Sequence, residues 1–129
     1  MYGTQGTTTN PSRLVDTKWL CWGAAGSTQA RFHAVDGQEE DGGWSCLIKI
    51  AEGYYKSCLL DSSDGYLCAV GFSSQRWRFL GGGDQVEWWQ GERPVVITET
   101  KPSGAGNGWQ LRAQHGATPE IYTISRIDG

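Results

Sequence analysis

An all-β fold with a three-fold pseudo-repeat is what this sequence predicts, on three observations. Apolar-rich segments alternate with short runs of Gly, Asp, Ser and Asn, the pattern of strands joined by tight turns. No window of ten or more residues places apolar side chains at i, i+3, i+4 and i+7, so no amphipathic helix is predicted. Trp44, Trp77 and Trp109 recur at intervals of 33 and 32 residues, and each opens a short strand: WSCL, WRFL and WQLR. A chain of 129 residues suffices for one domain with its own core. Glycine, at 19 residues, and tryptophan, at 7, both exceed ordinary usage, as many short strands and tight turns require.

Taken in order, residues 1–15 are rich in Thr, Gly, Gln and Ser and are expected to form a flexible arm, leaving residues 16–129 as a single all-β domain. The first strand is TKWLCW, 17–22, in which Trp19 and Cys21 share one face and Leu20 and Trp22 the other. QARFHAV, 29–35, alternates Ala30, Phe32 and Ala34 against Arg31, His33 and Val35. DGQEEDGG, 36–43, the most acidic segment, is expected to be a solvated loop.

WSCLIKI, YYKSCLL, GYLCAVGF and RWRFL then read as an antiparallel meander parted by AEG, DSSD and SSQ. Centring its first turn on Glu52 sets Cys46 opposite Cys58, and centring the second on Ser63 sets Cys58 opposite Cys68. Trp44, Cys46, Ile48, Ile50, Tyr54, Cys58, Leu60, Tyr66, Cys68 and Val70 then form the predicted core face. QVEWW, 85–89, is a strand whose adjacent Trp88 and Trp89 must point to opposite faces. PVVITET, the loop KPSGAGN, GWQLRA and EIYTISRI complete the chain.

Charge and apolar content exclude several functions. A net charge of −3 with scattered Lys and Arg argues against a phosphate backbone as ligand, so no nucleic acid is expected. There is no apolar run of membrane-spanning length, so no membrane insertion is expected, and the polar N-terminus shows no signal peptide; the chain is read as cytoplasmic or as secreted in mature form. Cys21, Cys46, Cys58 and Cys68 all lie inside predicted strands, which favours buried free thiols over disulfides, and without a CxxC no metal site is expected.

Three repeats in an all-β chain of this length, with SSQRW carrying a Gln-x-Trp at Gln75 and Trp77, resemble the β-trefoil fold and the ricin-B-type lectin family. In the other repeats the place of Gln75 is taken by Gly42 and Asn107. A small antiparallel β-barrel or sandwich is the alternative. The resemblance implies a carbohydrate-binding protein, a lectin, whose partners are glycans or glycoconjugates and whose avidity comes from repeated sites or homo-oligomerisation. It further implies an Asp near the end of a repeat's second strand, where Asp36 stands in the first repeat; Glu99 sits in the comparable strand of the third, and the comparable place in the second is Gly71.

Sugar sites need an aromatic platform and fixed polar partners. Trp22, Trp88 or Trp89 are the expected platforms, because strand alternation leaves at least one indole outside the core. Asp36, Gln75, Glu99 and Asn107 are the expected hydroxyl partners, and no cofactor is implied. A protease inhibitor is the second reading, with residues 36–43 and 101–108 as its loops. A small hydrolase ranks last: His33 and His115 complete no nucleophile-and-base set, and Asp36, Glu39, Glu40 and Asp41 read as a surface turn, so the chain is not expected to be an enzyme.

Overall fold

The alternating sequence folds into strands throughout, and a computed structural model describes residues 2–5, 12–14, 20–22, 31–51, 55–81, 83, 85–98 and 109–126. Those residues form β1 (Tyr2–Gln5), β2 (Ser12–Leu14), β3 (Leu20–Trp22), β4 (Arg31–Glu40), β5 (Gly43–Ile50), β6 (Leu59–Ser63), β7 (Tyr66–Val70), β8 (Trp77–Leu80), β9 (Gln85–Gln90), β10 (Arg93–Thr98), β11 (Trp109–Ala113) and β12 (Ile121–Arg126), with no helix. The region expected as an arm therefore contributes β1 and β2, and β1 pairs with both β12 and β4.

All pairings are antiparallel. Strands β5, β6, β7, β11, β10, β9 and β8 close a seven-strand barrel. The remaining strands extend it: β4, β1 and β12 bridge β5 to β9 and so close a second circuit, of β1, β4, β5, β8, β9 and β12. A β2–β3 pair joins the rest through β11. Closure leaves few free edges, which in a sheet are templates for aggregation.

The core is aromatic. Trp44, Phe79 and Trp88 form one inward row across β5, β8 and β9, with ring centroids 4.6 Å and 5.7 Å apart. Trp77 and Tyr122 meet Trp88 edge-on at 5.7 Å and 5.6 Å. The Trp77 indole donates to the Leu60 carbonyl at 3.0 Å and the Tyr122 hydroxyl to the Val95 carbonyl at 2.9 Å, so both polar tips are satisfied in the interior.

Register corrects the predicted repeat. Trp44, Trp77 and Trp109 lie on β5, β8 and β11, and their cross-strand partners differ: Trp44 faces Phe79, Trp77 faces Cys46 and Trp109 faces Trp22. Phe32, Trp77 and Tyr122 are each buried and each paired with the preceding strand of the six-strand circuit, at Tyr2, Cys46 and Val86. From Phe32 to Trp77 and from Trp77 to Tyr122 the interval is 45 residues, and Ala34, Phe79 and Ile124 repeat it.

Two turns explain the remaining differences. The hairpin β6–β7 turns on Asp64 and Gly65, with φ of 53° and 84°, the left-handed pair that a two-residue turn between twisted strands requires. Cys68 consequently faces Asp61, not Cys58, while Cys46 faces Trp77, which overturns the predicted cysteine row. Cys46, Cys58 and Cys68 are free thiols. Residues 36–43 are not a loop: β4 runs to Glu40 through a bulge between Val35 and Gln38, where Asp36 takes φ of 53°, and only Asp41 and Gly42 turn the chain.

Candidate functional site

The segment between β7 and β8, residues 71–76, is short, polar and held at several points. The Ser73 hydroxyl donates to Asp61 Oδ2 at 2.7 Å and accepts the Gln75 backbone N–H at 2.9 Å. The other Asp61 oxygen, Oδ1, accepts the Ser62 backbone N–H at 2.7 Å. One further strand is tied in, because the Ser62 hydroxyl donates to Gln90 Oε1 at 2.9 Å. Charge-assisted bonds of this kind are among the stronger ones a partly buried site can hold.

Beside this lock stands Phe72, 87% exposed. Leaving a phenyl group in water forgoes burial worth about 2 kcal/mol. Its neighbour Ser73 is buried, so the exposure belongs to the side chain and not to a loose segment.

Arg76 closes the loop on the barrel's outer side. Its Nη2 donates to the Asp36 carbonyl at 2.6 Å, to the Ser45 carbonyl at 3.1 Å and to the Ser45 hydroxyl at 3.1 Å. The β4 bulge presents that Asp36 carbonyl, so the bulge and the loop form one neighbourhood. Gln75 Nε2 donates to the Arg76 carbonyl at 2.6 Å. Below, burial pushes the Cys46 thiol up to about 12, with the Arg76 charge opposing the rise.

On the outer face of the same barrel wall, Ser45, Arg78 and Trp89 lie in register across β5, β8 and β9. Trp89 is half-buried, and its indole donates to Glu87 Oε1 at 3.0 Å. Arg78 pairs with Glu40 at 3.1 Å.

The structure thus brings Asp36 and Gln75 together through Arg76 and sets Trp89 two strands from Ser45, about 10 Å away at ordinary strand spacing. Trp88, one of the three expected platforms, is 2% exposed in the core and offers no face to a ligand. Trp22 is placed by its backbone alone, opposite Ser12 and Trp109. Glu99 and Asn107 lie outside the described residues. Sequence reasoning missed Phe72, Asp61, Ser73 and Arg76. The available signal was Gly71 ahead of Phe72 and the polar run behind it, which end the strand before the phenylalanine; reading GYLCAVGF as continuous strand hid it.

Chemically, the neighbourhood offers a wet aromatic face, a fixed carboxylate, an amide and a guanidinium. No group of three His, Cys, Asp or Glu among the described residues is placed to hold a metal ion. No protein-family model, curated protein or solved structure matches this chain, so its own chemistry is the guide to what it binds.

Proposed function

We propose that this chain is a carbohydrate-binding protein of β-trefoil architecture, a lectin that takes a glycan at the 71–76 loop. The architectural part is supported by the six-strand circuit, by the strand pairs β6–β7 and β10–β11 attached to it at β5 and β9, by the β2–β3 pair joined through β11, and by the 45-residue spacing of Phe32, Trp77 and Tyr122. The observation that carries the function is Phe72, an exposed ring beside a loop held rigid by Asp61 and Ser73. A sugar's C–H face stacks on such a ring while its hydroxyls reach the carboxylate and the Gln75 amide. Rigidity lowers the ordering cost of binding. Trp89 supplies a second, half-exposed ring on the outer wall.

A glycan array identifies the ligand, and a titration of the best glycan followed by tryptophan fluorescence measures affinity. Phe72→Ala should lose binding at least about tenfold, as the loss of one stacking contact implies, while melting as the parent does. Unchanged affinity in that variant removes Phe72 from the site, and the absence of any bound glycan removes the lectin reading.

The bracing of an exposed Phe72 also favours a protease inhibitor, because an inhibitory loop must present an apolar side chain without yielding. Stoichiometric inhibition in a protease panel, lost in Phe72→Ala, would put that reading first.

A further inference from the structure

We propose that the glycan recognised at this loop is acidic, and that Arg76 receives its carboxylate or sulfate. The inference rests on the carbohydrate reading of the 71–76 loop and names the substrate class of that site.

Arg76 is a fixed cation with two nitrogens, Nε and Nη1, that make no hydrogen bond among the described residues. All three of its hydrogen bonds leave from Nη2, to the Asp36 carbonyl and to the Ser45 carbonyl and hydroxyl. Among the described residues Nε and Nη1 have no acceptor, and neither atom is among the buried unpaired ones. No carboxylate of a described residue pairs with Arg76, in a chain whose net charge is −3 and whose neighbouring Arg78 does pair, with Glu40. Asp36 meets Arg76 through its backbone carbonyl and not its carboxylate, and both oxygens of Asp61 accept from Ser73 and Ser62.

A guanidinium has two pairs of parallel donors, Nε with Nη2 and Nη1 with Nη2, so both pairs share Nη2 and the remaining N–H groups receive an anion oxygen singly. In Arg76 Nη2 is the pinned nitrogen, so an oxyanion meets this side chain through a single N–H, of Nε or of Nη1, and not through a fork. Because Nη2 is held by backbone and Ser45 hydroxyl oxygens, the side chain gives up little rotamer freedom when an anion arrives. Neutral sugar hydroxyls fill a charged donor poorly compared with an oxyanion. Phe72, four residues earlier in the same loop, would carry the ring of the same sugar residue or its neighbour.

The test uses the whole chain and matched glycan pairs, each pair a neutral oligosaccharide and its uronate-bearing or sulfated counterpart, on an array and then in titration. The acidic member should bind about tenfold tighter, the effect of one charge-assisted interaction at a partly exposed place. That preference should shrink as salt is raised. Uronate and sulfate arms distinguish the two anions. Arg76→Gln should abolish the preference yet keep binding of the neutral member, and Arg76→Lys should retain part of it. Should both substitutions disturb folding, the parent's own preference and its salt dependence decide. Equal binding of the two members overturns this inference and leaves the lectin reading standing; binding of neither overturns both. A preference that persists undiminished in a folded Arg76→Gln assigns the anion to another residue and overturns the inference as well.

Discussion

Trp88 and Trp89 are neighbours on one strand, yet they belong to different regions of the molecule. Trp88 lies inside the barrel among Phe79, Trp77 and Tyr122, and its buried indole N–H has no acceptor among the described residues. Trp89 lies outside, half-covered, with its N–H on Glu87. The inner region is held by ring packing and accepts an unpaired donor to obtain it. On the outer wall and the 71–76 loop the opposite holds, since polar groups are paired there while an aromatic face is left in water. Abundant aromatic residues in a small barrel therefore serve two ends, and the side of the strand decides which.

The comparison breaks first at Trp77. Trp77→Ala removes one of the two bulkiest fully buried side chains and a bonded N–H, and should cost about 3–5 kcal/mol in urea unfolding. A loss under about 1 kcal/mol, the size of a surface effect, would mean that the inner ring does not hold the barrel.

Alkali should act on the same region. The Cys46 thiol titrates at about 12 against an ordinary 9.0 because it is buried. Tyr122 is raised well above 10.0, first by burial and then by the charge and hydrogen bond of Glu120. In both cases the unfolded chain ionises first, so stability is complete below pH 9.0 and falls as pH rises toward about 12. Urea midpoints between about pH 8 and pH 11 should drop, and Cys46→Val should flatten the first part of that drop.

Trp77→Phe and Trp88→Phe sharpen the comparison within the core. The first leaves the Leu60 carbonyl without its donor; the second deletes an N–H that has no partner among the described residues. Trp88→Phe should be milder by about 1 kcal/mol in the same assay. On the outside, Ser73→Ala strips Asp61 Oδ2 and the Gln75 N–H of their partner and should cost about 1 kcal/mol, with faster hydrogen exchange confined to residues 72–76. Phe72→Ala should change stability by less than about 0.5 kcal/mol, the usual range for an exposed position.

Much of the strand order was legible in the sequence because alternation and turn residues are local signals. β5, β7, β8, β9, β10, β11 and β12 fall within a residue or two of the expected segments. What escaped is of two kinds. The repeat was sought by letter, whereas Phe32, Trp77 and Tyr122, three different aromatics at 45-residue intervals, share a kind of cross-strand placement that only the ladder register reveals. The second hairpin was centred on Ser63, although Asp64 and Gly65 form the stronger two-residue turn, and that small shift moved every cross-strand partner. The site was harder to see because its parts come from β4, β6 and the loop before β8, and nothing local links Asp36, Asp61 and Arg76.

Pairing of Tyr2 with Arg126 has a consequence for how the chain acquires its structure. The six-strand circuit is shut by β1 lying between β4 and β12, and its pairing with β12 spans almost the whole sequence. Loop closure of that length must be met before the pairing gives anything back, so folding should be slow for the chain's size, with a late, rate-limiting docking of β1. Until then β4 and β12 each present an unpaired edge, and a second chain at high concentration can occupy the place that β1 leaves open.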